Sequence, residues 1–440
     1  MNLKIYHRFA SIKIYSLLLL ALSILLIMQY NMSEINEPSQ GLTKNSLLKD
    51  YSYWIMAAQN LNAFENPYIE DPLYKSGVFS ASIINLLYLV LVNDILFFTA
   101  MQIFNLLGLM LFIYTFLRWR VSNTVLPLLL ITASSTREIL VNGQVTGITL
   151  GLFSISYALT RYIHNNLLVL SKLRIFAISS LAGICYFFLL DIKPNIFLFP
   201  LIVLLVAFRT WSILVSGLFL WLVHHALFSL ILGDLLILSW LKNLSNVALY
   251  ESNPNLFGSI GPWQILNQLI QNDFLFQYIP VLSFFFAGMS SVFLAKRNLL
   301  LPALFLAFST NYFYTYFHYY TFFAIISFML YKALSENSPF LTGFLSSTLQ
   351  FSFVLSPQNM ILSSIYLALI CILYKSSKNS YLYFFVMGWL VSMIFRFGLT
   401  TELSSDPYLA KAIIVVIPYV IFLFLSRNQI ALIIPMIRRC

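Results

Sequence analysis

Between Asp94 and Arg118 the chain runs twenty-three residues without a charged side chain, and between Arg209 and Asp234 another twenty-four, with only His224 and His225 as titratable groups in the second. Runs of this kind leave a chain few options. About 20 apolar residues in a helix match the roughly 30 Å of hydrocarbon in a bilayer. In that solvent the backbone has to satisfy its own hydrogen bonds, which favours helix. Taking the apolar runs in order gives expected spans near 13–31, 95–117, 121–136, 143–161, 175–191, 195–208, 211–239, 279–295, 298–312, 319–331, 340–355, 360–374, 381–395 and 410–426. Charged residues make up only 9% of the chain and hydrophobic ones 60%, against about 25% charged in a soluble domain. The expected fold class is all-α integral membrane, a polytopic helical bundle of about 12–14 spans.

The net charge of +10 raises the question of nucleic acid. The basic residues are scattered at the ends of apolar runs, so anionic lipid and the positive-inside rule account for them and no nucleic-acid partner is expected. Cys185, Cys371 and Cys440 lie in or beside apolar runs with no CxxC spacing, which gives neither a metal site nor a disulfide framework. Lys4, Arg8 and Lys13 precede an apolar run from Ile14 to Tyr30 that lacks a small-residue cleavage site, so it reads as an uncleaved first span.

One polar interval stands out, from Asn31 to Asn93, with six of the fifteen carboxylates: Glu34, Glu37, Asp50, Glu65, Glu70 and Asp71. From Asp50 the pattern becomes amphipathic, with Tyr51, Trp54, Ile55, Ala58 and Leu61 at helical spacing. Asp50 stands at the expected N-cap, and Asn66-Pro67-Tyr68 stops the helix. The expectation is a short helix lying on the membrane face, aromatic side down. The following run, Phe79 to Val92, is fourteen residues, short for a crossing. Charge decides between crossing and lying at the interface. With the N-terminus cytoplasmic and this run not crossing, seventeen of the twenty-five Lys and Arg residues fall inside and eight outside; if it crosses, the numbers reverse. The positive-inside rule selects the first. Both termini are then cytoplasmic in a multi-pass plasma (inner) membrane, and the polar interval is extracytoplasmic. A second polar outer interval, Leu241 to Tyr278, is expected later in the chain.

Several residues on the outer side suit chemistry. Asp50 suits a general base taking a proton from an alcohol as it attacks, or a solvated helix cap. His318, after the aromatic stretch Asn311 to Phe317, suits a second acid/base or a hydrogen bond to phosphate, or one more ring of an interfacial aromatic belt. Arg137, Lys193, Lys242, Arg396 and Lys411 are outer cations that could meet a departing phosphate, or ordinary loop and snorkelling charges. His224 and His225 lie in the middle of an apolar run, with Asp234 further along. Ionisable groups at such depth face a bundle interior or a cavity, and the plain alternative is a neutral ring donating to a backbone carbonyl. The chain has no HExxH, no P-loop, no paired Cys ligands and no Gly-rich nucleotide fingerprint.

The stretch Lys49 to Ala58 followed by Asn66-Pro67-Tyr68 resembles the opening of the C-superfamily polytopic membrane glycosyltransferases, closest to glycosyltransferase family 87, the polyprenol-phosphate-mannose-type enzymes. Asn142-Gly143-Gln144 resembles the family's Gly-Gln, Lys193-Pro194 its Lys-Pro, and His318-Tyr319 its outer His, in the family's order over roughly 45–320. The family's Gly before Asn-Pro-Tyr is replaced by Phe64-Glu65, and its Tyr-Pro-Pro by Phe79-Ser80-Ala81, departures that bear on the acceptor groove. The resemblance implies a catalytic membrane module over 1–320 with its first outer loop at 32–94, followed by C-terminal transmembrane helices over 321–440. It implies Asp50 and His318 as catalytic residues. It implies Tyr51, Gln144 and Lys193 as substrate-side residues, and if the reaction is of this kind an outer cation must meet the phosphate, for which Arg137, Lys193 and Lys242 are the candidates. No resident cofactor is implied; a polyprenyl-phosphate sugar is the co-substrate, a glycan or glycolipid the acceptor, and a divalent metal is left open. Two rival readings are a lipid-linked glycan flippase, which would scatter ionisable residues at mid-membrane, and an envelope polysaccharide polymerase, which would concentrate arginines in outer loops.

Overall fold

The structure is a computed structural model and describes residues 49–68, 76–91, 94–117, 145–251 and 273–310. Among these residues the regular elements are all helices: α1 (Lys49–Asn62), α2 (Val78–Leu91), α3 (Asp94–Leu117), α4 (Thr146–Asn166), α5 (Lys172–Ile192), α6 (Pro194–Phe208), α7 (Trp211–Leu232), α8 (Leu236–Glu251), α9 (Asp273–Lys296) and α10 (Leu300–Ser309). The chain divides into two compact units, one of Met1–Thr132, Thr136–Tyr250 and Phe285–Thr310, the other of Ala133–Ser135, Glu251–Phe284 and Asn311–Cys440. The first unit holds α1 to α7, α8 as far as Tyr250, α9 from Phe285 onward, and α10. Three described helices are long and apolar enough to cross a membrane, over Leu96–Phe116, Lys172–Ile192 and Trp211–Leu232. The expected spans at 13–31, 121–136, 319–331, 340–355, 360–374, 381–395 and 410–426 lie outside the described residues.

Two helix pairs are packed through glycine. On α3 and α4, a Cβ added at Gly108 would run into the backbone of Gly147, and one at Gly151 into that of Gly108. The Gly147–Gly151 spacing is the small-xxx-small device that lets helices approach closely where lipid supplies no hydrophobic drive. Asn105 of α3 caps α4 across this contact, its Oδ1 accepting from the amides of Gly147 at 2.8 Å and Ile148 at 3.1 Å. Gly183 of α5 and Gly217 of α7 form the second close approach, flanked by a Ser179–Ser212 hydroxyl pair at 3.0 Å.

Helix α4 carries more hydroxyls than the other long helices, and it buries them. Thr149, Ser154, Ser156 and Thr160 donate to carbonyls three or four residues back, so these four hydroxyls are satisfied within their own helix, while that of Thr146 in the first turn has no partner among the described residues. The unit's aromatic core gathers on the same helix. Phe153 stacks on Phe116 at 5.7 Å, meets Phe308 edge-on at 5.1 Å and lies 6.1 Å from Phe197.

The ends of the helices are also sorted. A 2.9 Å bond between His164 Nδ1 and the Phe208 carbonyl ties the C-terminal end of α4 to that of α6. Helix α5 follows α4 by a short turn, so Arg161, Lys172, Arg174 and Arg209, all exposed, gather at one end of the unit. Asp191 and Lys193 lie 21 residues of helix away, at the other end.

Three expectations need correction. The expected run 211–239 is not one helix: α7 ends at Leu232, Gly233 turns left-handed (φ 68°), and α8 begins at Leu236. Asp234 Oδ1 takes the Leu235 amide at 2.8 Å, and Ser229 Oγ takes that of Leu236 at 3.2 Å, so the break satisfies its own backbone. The interval Leu241–Tyr278, expected as a polar loop, is helical up to Glu251 and again from Asp273. Lastly, the apolar face of α1 is not spread on the membrane surface. Trp54, Ile55, Ala57 and Leu61 are buried with Val78, Phe79, Ala81 and Ile84 of α2 in one core with Phe188, Ile192 and Trp240. Protein, not lipid, covers that face, because α2 presents a complementary stripe directly after it.

Candidate functional site

Helix α2 begins at Val78, and its first-turn amides have no partners within the helix. The residue before it, Gly77, has no side chain to cap them. The cap comes instead from Asp191, at the far end of α5. Asp191 Oδ2 lies 2.7 Å from both the amide and the hydroxyl of Ser80, and the Gly77 amide donates to the Asp191 carbonyl at 2.8 Å. A negative charge at a helix N-terminus also complements the helix dipole. Gly77 is glycine for space: a Cβ there would occupy the seat of the Asp191 carboxylate, while its backbone is not left-handed.

The second carboxylate oxygen faces α7. Asp191 Oδ1 accepts from Trp221 Nε1 at 3.0 Å and lies 3.8 Å from His225 Nε2. Asp191 and His225 are both fully buried. His225 Nδ1 is 3.1 Å from the Trp221 carbonyl, while Nε2 has no hydrogen-bond partner. With Nδ1–H given to that carbonyl, a neutral ring turns a lone pair toward Asp191; a proton on Nε2 would turn the same approach into an ion pair. The neighbouring His224 reaches α2: Nε2 lies 2.8 Å from Ser82 Oγ, and the ring stacks on Phe228 at 4.5 Å and meets Phe79 edge-on at 4.9 Å.

A second carboxylate holds the turn after α1. Asn66 accepts the Tyr68 amide on Oδ1 at 3.0 Å and donates through Nδ2 to Asp234 Oδ2 in the break between α7 and α8. Tyr68 OH donates to the Ser76 carbonyl at 3.2 Å, and Asn62 and Asn85 exchange hydrogen bonds between α1 and α2. Asp191 and Asp234 thus fasten the two short helices to α5, α7 and α8.

The sequence-predicted residues are spread over several elements. Asp50 and Tyr51 lie in the first turn of α1, which starts at Lys49, so Asp50 is one place inside the helix instead of at its cap; their side chains lie outside the described residues. Lys193 is half-buried and forms the joint between α5 and α6, its amide donating to the Leu189 carbonyl at 3.0 Å, with Pro194 opening α6. This joint is directly beside the α2 docking point, since Ser76 Oγ lies 3.5 Å from the Ile192 carbonyl. Lys242 is on the exposed face of α8. Arg137, Gln144, His318, Arg396 and Lys411 lie outside the described residues. Among the described residues no group of three His, Cys, Asp or Glu is placed to hold a metal ion. The mid-run histidines face the interior, and the expected bond to a backbone carbonyl is present at His225.

Asp191 is the residue that reading the sequence passes over. The available signal was a carboxylate closing an otherwise uncharged apolar run, together with a glycine where the next short helix needed a cap. Among the described residues, fold and centre together are those of an all-helical chain with three helices long and apolar enough to cross a membrane, in which a short helix is capped by a buried carboxylate between two of them. No family model, no curated protein and no solved structure matches the chain.

Proposed function

We propose that the chain is a polytopic membrane glycosyltransferase of the C superfamily, close to family 87. It moves a mannose-like sugar from a polyprenyl phosphate to a hydroxyl of a lipid-linked or cell-envelope glycan on the extracytoplasmic face. The acceptor oxygen attacks the anomeric carbon, the bond from that carbon to the phosphate oxygen breaks with inversion, and polyprenyl phosphate leaves. Asp50 takes the hydroxyl proton as the new bond forms, the role a carboxylate can fill when the leaving group is good. Lys193 is the cation assigned to the departing phosphate, with Arg137, Gln144, Lys242, Tyr51 and His318 as the further substrate-side and acid/base residues.

The observation that carries this reading is the docking of the α1–α2 pair on the Asp191–Lys193–Pro194 joint. Gly77 and Ser80, in the chain that follows the Asn66-Pro67-Tyr68 motif, there meet Asp191, two residues before the Lys193-Pro194 motif. The gathering of Arg161, Lys172, Arg174 and Arg209 at the opposite end supports the assignment of the joint to the extracytoplasmic side. The buried Asp191–His225 pair favours a second reading, a flippase for lipid-linked glycans that uses an ionisable pair inside its bundle. Membranes carrying the protein, given a labelled polyprenyl-phosphate mannose, separate the two. Label transferred to endogenous glycolipid, and lost in Asp50→Asn, supports the transferase; label moved between leaflets without a new glycosidic bond supports the flippase.

A further inference from the structure

We propose that Asp191 is a positioning residue: the N-cap of α2, lent by α5, which sets the α1–α2 pair against the Lys193–Pro194 joint. The pair carries Asp50, so the consequence for catalysis rests on the transferase reading, while the cap itself does not. Three observations support it. The carboxylate is fully buried and both its oxygens are engaged, Oδ2 by the backbone and hydroxyl of Ser80 and Oδ1 by Trp221. Gly77 leaves open the space that the carboxylate fills. Apart from Ser82 on His224, α2 meets α5 and α7 mainly through apolar contacts, which fix no register along the helix, whereas the amides of Ser80 and Gly77 select one. His225, against the same carboxylate oxygen, forms the next layer: its ring is held by the Trp221 carbonyl and packs on the Trp221 indole at 4.1 Å.

Hydrogen exchange on the full chain in detergent, followed on peptides from 76–91, reads the cap directly. Asp191→Ala should speed exchange in the first turn of α2 by roughly 10- to 100-fold, the loss expected with a charge-assisted bond to a buried amide. Asp191→Asn, which keeps an acceptor oxygen and conserves shape, should stay within about tenfold of the wild type. The decisive variant moves the cap: Gly77→Asp together with Asp191→Gly returns an acceptor to α2 from its own chain and clears the seat it needs. In that double variant both the protection of α2 and kcat for transfer should recover, whereas Asp191→Ala lowers kcat with little change in KM for the donor. Unchanged exchange in Asp191→Ala overturns the cap. Protection regained without kcat overturns the positioning role and leaves Asp191 a part in the chemistry. Absence of transfer by the wild type removes the transferase reading, and the exchange results still decide the cap.

Discussion

Phe64 holds a left-handed backbone (φ 59°) two residues after the end of α1, in a Schellman turn where the Glu65 amide donates to the Asn60 carbonyl at 2.8 Å. A side chain in that conformation costs about 1–2 kcal/mol, and the ring, 70% exposed, recovers little by burial. Phe64→Gly is expected to stabilise the protein by about 1 kcal/mol, measured by unfolding in mixed micelles. The resembling family places glycine just before Asn-Pro-Tyr, so the departure seen in the sequence is one of strain at a helix end. Gly77 is the opposite case, glycine for space. Gly77→Ala drives a methyl group into the Asp191 carboxylate and is expected to destabilise by about 1–3 kcal/mol. A turn at Asn66-Pro67-Tyr68 was legible because turn chemistry is local, although α1 itself stops four residues earlier, at Asn62, on the left-handed turn at Phe64. The role of Asp191 was not, because the amide it caps belongs to a residue 111 positions earlier.

At the scale of elements, hydropathy located α3, α5 and the body of α7, since each satisfies its own backbone and needs only length and apolar surface. It missed the break at Gly233-Asp234, because Leu235, Leu236, Ile237 and Leu238 resume the apolar run directly after the single carboxylate. The amphipathic stripe of α1 was read correctly and its environment was not: a stripe says which face is covered, and α2 supplies the cover. The glycines that set helix spacing predict a graded series. Gly151→Leu, at the α3–α4 contact, should destabilise by several kcal/mol, roughly 3 or more, because backbone and not a flexible side chain stands in the way. Gly233→Ala meets nothing within 4 Å and should cost only about 1 kcal/mol of backbone strain. The same unfolding measurement ranks the two.

At the scale of the molecule, charge gives a direction to the first unit, whose long helices are apolar. The exposed cations at the shared end of α4, α5 and α6 lie beside Leu168, 98% exposed at the tip of the α4–α5 turn. Leu168→Cys should react with a membrane-impermeant maleimide only in inside-out vesicles, and Phe64→Cys only in right-side-out ones. Labelling of both from one side would undo the topology. Catalysis in this scheme depends most on a carboxylate at the start of α1 accepting the proton of an attacking alcohol. Its most direct test compares transfer from labelled polyprenyl-phosphate mannose in membranes carrying the wild type and Asp50→Asn. The expected result is transfer by the wild type and a loss of at least about 100-fold in kcat for the variant; equal transfer by the two, or none by the wild type, would contradict that role.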